Sequence, residues 1–178
     1  MLKKQRKRRQ VTNYKKVTRE QIASYLNITP SEVTEDWGLI GVGITNFGQS
    51  YNPNVETEKW IIHKNANSSL ESYQIQGDVS QKCHFGDAVY DFVNNLRRRA
   101  VVGSASETQI LDVDIYDSTG EDTAKKYKAT KYNCTIAITS YATGESPVIE
   151  YTIHYNGDPT VGTVTIVNQK PVFTPDAE

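Results

Sequence analysis

The chain has 178 residues, of which 37% are apolar, and its 20 Lys and Arg against 21 Asp and Glu give a net charge of −1. This length predicts one domain of ordinary size, and the eleven Tyr favour β-strands. No segment approaches the ~20 apolar residues of a membrane span, and two cysteines are too few for a disulfide scaffold or a zinc site.

The N-terminus is strongly basic. Eight of the 20 Lys and Arg lie between residues 3 and 16, and the other 12 face all 21 acidic residues, so the rest of the chain carries −9. No apolar segment follows the basic run, so we expect no secretory signal peptide. A basic arm over residues 1–17 indicates contact with nucleic acid, an anionic surface or another copy of the acidic body. The candidate contact residues are Lys3, Lys4, Arg6, Lys7, Arg8 and Arg9.

Two elements are predicted before the main domain. Val11–Val17 is a candidate short strand, and residues 18–36 are predicted to be a helical insertion or connector. Thr18 and Gln21 have the spacing of a capping box, which predicts a helix over Thr18–Leu26.

The stretch 18–33 also has the rhythm of a helix-turn-helix. An alternative function is therefore DNA binding through this stretch and the basic arm. Two observations weigh against it. The second helix, Ser31–Asp36, would be short and acidic, and a glycine-rich, strand-like segment follows it.

From Trp37 onward the apolar period becomes two, which predicts strands. The predicted strands are Gly38–Ile44, Val55–His63, Leu70–Gln76, Gln109–Tyr116, Tyr127–Tyr141, Val148–Asn156, Thr163–Val167 and Val172–Thr174, with turns at Asn65–Ser69 and Asn156–Pro159. Their order and spacing predict a mainly β fold, an antiparallel sandwich or partial barrel with one flanking helix and the extra N-terminal helical segment.

The flanking helix is predicted over residues 87–100. Gly86 or Asp87 can cap its start, three arginines occupy its last turn, and Gly103 lies just beyond its end. A helix of this length is marginal alone, so its apolar stripe is expected to pack on the sheet. The core-facing residues of the stripe are Val89, Phe92, Val93 and Leu96.

Two strands after the helix have clear faces. In the first, Leu111, Val113 and Ile115 are expected in the core, whereas Asp112 and Asp114 are expected to be exposed. In the second, Cys134 falls on the apolar side of the pattern and is expected to be a buried thiol.

No catalytic or metal-binding constellation is found in the sequence. His63, His84 and His154 lie in different elements without metal-ligand spacing, and the Gly41-Val-Gly43 pair lacks the third glycine and the helix of a dinucleotide site. We therefore expect no enzymatic activity, no metal and no cofactor.

The motifs of the strand-rich region follow one another in a recognisable order. They are Gly41–Thr45, Tyr51–Glu56, Trp60–His63, Ser72-Tyr73, Ala88–Phe92, Tyr127–Lys131, Asn156–Thr163 and Val172–Thr174. This series resembles the major tail tube proteins of long-tailed, siphophage-type bacteriophages over about residues 37–175. The resemblance implies a tail-tube domain over residues 37–178.

The resemblance also implies a function and partners. Such subunits pack two antiparallel sheets with one flanking helix and assemble into hexameric rings. The rings stack into a tube around the tape-measure protein and later form the conduit for genome DNA, which is not bound sequence-specifically. Further implied partners are tail terminator and distal tail proteins; the implied location is the virion tail, assembled in the bacterial host cytoplasm without a membrane. Contractile-tail and type VI secretion tubes share this fold, so fold alone does not choose among them.

Within that resemblance two sets of residues have expected roles. The basic arm is expected to contact an acidic surface on the next ring or another tail component. Asp112 and Asp114 are expected to form an acidic face toward the channel or a ring joint.

Overall fold

The computed structural model describes residues 14–120 and 125–177, which form ten strands, one α-helix and two short 3-10 turns. The strands are β1 (Ile22–Asn27), β2 (Trp37–Leu39), β3 (Ile44–Ser50), β4 (Pro53–Glu58), β5 (Asn67–Tyr73), β6 (Gln76–Lys82), β7 (Glu107–Thr119), β8 (Lys126–Ala142), β9 (Val148–Val167) and β10 (Lys170–Pro175). The helix α1 spans Ala88–Arg99, and the 3-10 turns span Arg19–Gln21 and Gly103–Ser106.

Eight strands form one antiparallel sheet that curls into a half-barrel. Their order is β2-β1-β7-β8-β9-β6-β3, and β10 pairs with the second half of β9. The sheet curls far enough for Gln49 of β3 to donate a hydrogen bond to Asp112 of β7, near the opposite end of the order (2.8 Å). The remaining strands, β4 and β5, form a separate hairpin. The predicted mainly β, antiparallel partial barrel with one α-helix is confirmed.

The sheet buries apolar side chains on both of its faces. Ile110 and Leu111 are neighbours on β7, point to opposite faces, and are both fully buried. Ile110 belongs to an inner cluster on the concave face, and Leu111 belongs to an outer cluster with Trp37 and Val164. The single chain therefore has two cores, one inside the curl and one outside it.

Helix α1 contributes to the inner core. Asp87 caps its N-terminus by accepting a hydrogen bond from the Tyr90 amide (2.9 Å). The helix ends at Ala100, which adopts the left-handed conformation (φ 46°), so Gly103 is not its cap and instead begins the second 3-10 turn. The helical residues nearest the sheet are Val89, Tyr90, Val93 and Asn94, which are buried, and Phe92 and Leu96, which are half-buried.

The predicted helix over Thr18–Leu26 is wrong. The capping box exists, since Gln21 Oε1 accepts from the Thr18 amide (3.0 Å), but it closes only the 3-10 turn. The next residues form β1, which lies between β2 and β7 and is buried on both faces. A strand covered on both faces shows no alternation, so its apolar residues also satisfied a helical spacing. The helix-turn-helix interpretation of residues 18–33 requires this helix and is therefore also wrong.

Two other strand predictions before β4 are wrong in their bounds. Residues 14–17, the described part of the predicted Val11–Val17 strand, lie outside any strand. The predicted Gly38–Ile44 strand is broken by a turn between β2 and β3. In this turn Gly43 has φ +72°, and its carbonyl accepts from the Lys82 amide (2.8 Å). A side chain at this position would meet the β6 backbone and the His84 ring, so glycine is required there.

Two predicted turns are placed differently in the structure. The β4–β5 turn begins after Glu58, which pairs with Asn67, so the predicted strand to His63 is too long. The predicted turn at Asn156–Pro159 is a bulge inside the long strand β9. Lys131 of β8 pairs with Thr160 and Asn133 pairs with Asn156, so β9 has extra residues there.

Candidate assembly interface

The β4–β5 hairpin extends away from the curled sheet. Every residue of β4 and β5 is exposed. At its base the Asn52 side-chain amide donates to the Gln74 carbonyl (3.1 Å), and the rings of Tyr51 and Tyr73 meet edge to face with centroids 5.7 Å apart. The base is therefore fixed by specific contacts, whereas no other described part of the chain packs on the two strands. An isolated two-stranded hairpin is only marginally stable in water.

The two faces of this hairpin differ in chemistry. Val55 pairs with Leu70 across one face, and each is about half exposed. Glu56 and Glu58 alternate onto the opposite face of β4. The hairpin thus presents an apolar face and an acidic face, which is the pattern of a strand pair that packs against another surface on one side only.

The tip of the hairpin is the most apolar exposed part of it. Ile61 is 104% exposed, Ile62 is 82% exposed, and half of Trp60 is exposed. The tip has a defined form, because Trp60 stacks on His63 (centroids 5.4 Å apart) and the His63 amide donates to the Trp60 carbonyl (3.0 Å). A contiguous exposed apolar group on an ordered turn is typical of an interaction site.

The acidic residues of β7 are placed differently from the prediction. Asp112 is not exposed; its carboxylate lies inside the curl and accepts from Ser24 Oγ (2.6 Å) and Gln49 Nε2 (2.8 Å). It also accepts from Tyr155 Oη at 3.3 Å. The prediction failed because the curl covers the face of β7 that a flat sheet would leave in water. Asp114 is half-buried and lines the same cavity, which has a volume of about 370 Å³.

Burial controls the ionisation of this cluster. It raises the pKa of Asp112 above its usual range; the three hydrogen bonds to the carboxylate oppose this shift, and neighbouring Asp114 adds to it. Burial and the Asp112 carboxylate also raise the pKa of the Tyr155 hydroxyl. The Asp112 carboxylate, on β7, accepts hydrogen bonds from side chains of β1, β3 and β9. These hydrogen bonds link strands from both ends of the curled sheet across its concave face.

The other residues singled out in the sequence lie in three kinds of place. The six basic arm residues Lys3, Lys4, Arg6, Lys7, Arg8 and Arg9 lie outside the described residues. Val89 and Val93 face the inner core, whereas Phe92 and Leu96 lie at its margin. The prediction of a buried thiol at Cys134 is confirmed, and burial raises the pKa of that thiol, which makes it a poor nucleophile.

Within residues 14–120 and 125–177, no group of three or more His, Cys, Asp and Glu is placed to hold a metal ion. Nor does any helix in this part of the chain have the length and apolarity that crossing a bilayer requires.

Sequence analysis missed the hairpin tip as a functional feature. The predicted strand Val55–His63 includes the apolar run Trp60-Ile61-Ile62, and no glycine or proline separates this run from the residues of β4. The sequence signal for a turn at this position lies in the residues beside the run. The Asn/Ser-rich segment Asn65–Ser69 follows the run closely, and such clusters are typical of loops.

Comparison with known proteins gives a structural match and no sequence match. No protein-family profile and no curated protein matches the sequence. The fold is similar to that of a chain in the tail of an empty gene transfer agent (GTA) particle with C6 symmetry. The TM-score is 0.52, the sequence identity is 12%, and the match covers 82% of this chain and 98% of that chain. At this identity the likeness shows a shared fold.

Proposed function

We propose that this chain is the structural subunit of a phage-type tail tube, which self-assembles into stacked hexameric rings. The observation that carries the proposal is the fold likeness to a chain of a C6-symmetric tail, over nearly the whole of that chain. The order of motifs along residues 37–175 supports the same proposal independently of the fold. The subunit's role is mechanical, and the proposal assigns it no enzymatic activity.

The exposed hairpin and the open strand edges support self-association. A sheet edge with unpaired backbone groups is an aggregation hazard unless a neighbour covers it, and in this half-barrel β2 and β3 stand at opposite ends of the strand order. Pairing between copies around a ring removes these edges. A head-to-tail contact of this kind closes into a ring when the rotation between copies is right.

The charge distribution supports a conduit for DNA. Apart from the eight bases between residues 3 and 16, the chain carries −9. Like charge on wall and phosphate disfavours adhesion, so genome DNA passes without sequence-specific binding. The tube encloses the tape-measure protein during assembly in the host cytoplasm and ends at tail terminator and distal tail proteins in the virion.

The basic arm is proposed to contact the acidic surface of the next ring. Stacked bodies of the same negative charge repel one another, and an arm laid across the neighbour offsets that repulsion. Exposed ion pairs contribute about 0–1 kcal/mol each, so the effect requires several of the six bases together.

Negative-stain electron microscopy of the purified full-length chain, with a DNA gel shift on the same sample, tests the proposal. The expected result is rings or hollow rods of uniform width and no shift at physiological salt. A chain that shifts DNA and forms no rings would contradict the proposal. That result would instead support DNA binding by the basic arm.

A further inference from the structure

Strand β8 extends beyond its neighbour β7. The pairing of β7 with β8 ends at Glu107 opposite Thr135, whereas β8 continues to Ala142. Over Ile136–Ala142, β8 is paired with β9 on one side, and among the described residues no strand is paired with its other side. Within the described part of the chain, β8 therefore has one unpaired backbone edge over the seven residues Ile136–Ala142.

An apolar groove lies beside this open edge. It runs between the end of α1 and β8, has a volume of about 510 Å³, and includes Leu96, Val101, Val102, Ile136 and Ile138. We call it the α1–β8 groove. Val102 is 83% exposed on its rim, and Ile136 is buried in the inner core. The groove thus joins the protein's core to its surface, and no side chain of residues 14–120 or 125–177 covers it.

The rim of the groove includes Arg97, and Arg98 and Arg99 follow it in the chain. Arg97, Arg98 and Arg99 occupy the last turn of α1, where the helix dipole favours cations. Arg97 is held in place: its guanidinium carbon lies 3.8 Å from the centroid of the Tyr141 ring, and its Nε donates to Asn94 Oδ1 (3.0 Å). An ordered cationic rim beside an apolar floor selects a partner that is both apolar and acidic.

The β4–β5 hairpin has the complementary chemistry. Its tip exposes Ile61 and Ile62, its strand β4 carries Glu56 and Glu58 just before the tip, and its strands have backbone edges free to pair. All residues of β4 and β5 are exposed in the single chain, so the hairpin does not occupy the groove of its own chain.

We propose that the α1–β8 groove and the open edge of β8 receive the β4–β5 hairpin of a second copy of this chain. The apolar tip fills the groove, a hairpin strand pairs with Ile136–Ala142, and Glu56 and Glu58 approach the arginines at the end of α1. Hairpin and groove are different surfaces of one chain, so the contact is head-to-tail and repeats from copy to copy. This inference rests on the proposed self-assembly and names the two surfaces that meet.

Disulfide cross-linking between two different single-site variants tests the contact. One protein carries Ile61→Cys and the other carries Val102→Cys, and both carry Cys83→Ser, because Cys83 is half-buried whereas Cys134 is fully buried. The two are mixed, assembled and oxidised. A disulfide needs Cα atoms within about 7 Å, so only residues in direct contact link efficiently.

The expected product is a mixed dimer with one copy of each variant. The matched control replaces Val102→Cys by Val33→Cys, which is fully exposed in the connection between β1 and β2, and it should lose the mixed dimer. Mixed dimers formed equally well with the control would overturn the inference. So would dimers of the Ile61→Cys protein with itself, because they would place tip against tip.

If the cysteine variants assemble poorly, a second experiment compares the assembly of two charge-introducing variants. Val102→Asp places a charge on the groove rim and should abolish assembly of a folded chain, whereas Phe85→Asp, at an equally exposed site outside the groove, should assemble as the wild type does. Equal assembly of both would overturn the inference. Wild-type rings or tubes without tip-to-groove links would overturn this contact and leave the tail-tube function standing; a chain with neither rings nor links would overturn both.

Discussion

Replacing Ile61 by alanine should weaken assembly without changing the stability of the monomer. The side chain is fully exposed in the single chain, so its loss should change the free energy of unfolding by no more than ~0.5 kcal/mol. If the tip is buried between copies, the substitution removes about three methylene-sized groups at ~0.8 kcal/mol each, or ~2.4 kcal/mol per contact. At ~1.4 kcal/mol for each tenfold change, this weakens each contact about 50-fold.

The assay is the critical concentration for tube formation, measured by sedimentation of assembled from unassembled protein, with thermal melting of the monomer alongside. We expect the critical concentration of Ile61→Ala to rise about 50-fold, given the ~2.4 kcal/mol per contact. Val33→Ala removes a similarly exposed aliphatic group outside the hairpin and serves as the matched control. An unchanged critical concentration for Ile61→Ala would refute the assignment of the tip to a contact between copies.

Three further predictions concern the inner core, the buried carboxylate of Asp112 and the basic arm. Val93→Ala, in a fully buried position of α1, should lower the free energy of unfolding by about 2–3 kcal/mol in urea titrations, and Phe92→Ala, at a half-buried one, by less than the ~3–5 kcal/mol of a fully buried Phe. Asp112 has its folded-state pKa raised by burial, so its stabilising contribution is present below pH 3.8 and is lost as pH rises through the folded pKa. Asp112→Asn should therefore gain stability relative to the wild type as pH rises from 3 to 7 in urea unfolding; a stability difference that stays constant or changes in the opposite direction would contradict this sign. Deleting residues 1–10 should leave thermal melting unchanged but slow tube growth, and wild-type growth should weaken as salt rises above ~0.15 M, where screening acts over about 8 Å.

The elements that could be predicted are those with one covered face or a local cap. Asp87 and the apolar stripe of α1 are a local signal, and the structure bears out the helix within one residue at each end. The period of two in β8 follows from alternate burial, with Cys134 and Ile136 in the inner core. Both signals are contained in a short window of sequence, so they do not depend on how the sheet curls.

The elements that could not be predicted depend on contacts distant in sequence. Strand β1 is covered by β2 and β7 at its edges and by a core on each face, and this removed the alternation that marks a strand. Asp112 looks exposed from alternation alone, and contacts with residues distant in sequence, such as Gln49, which is 63 residues away, make it interior. The open edge of β8 follows from where the pairing with β7 stops, which no local pattern records.

The hairpin and the groove each expose apolar surface in the single chain, and the two surfaces have complementary charge. Among the described residues, none covers Ile61 and Ile62 at the hairpin tip, and none covers the apolar α1–β8 groove or pairs with the edge of β8 beside it. Either feature alone invites non-specific association, but the net charge of −9 outside the basic arm opposes it between bodies that meet at random. A contact that brings Glu56 and Glu58 to the arginines of α1 replaces this repulsion by attraction and covers both apolar surfaces at once. The same charges therefore disfavour disordered aggregation and favour the one relative orientation from which an ordered assembly can grow.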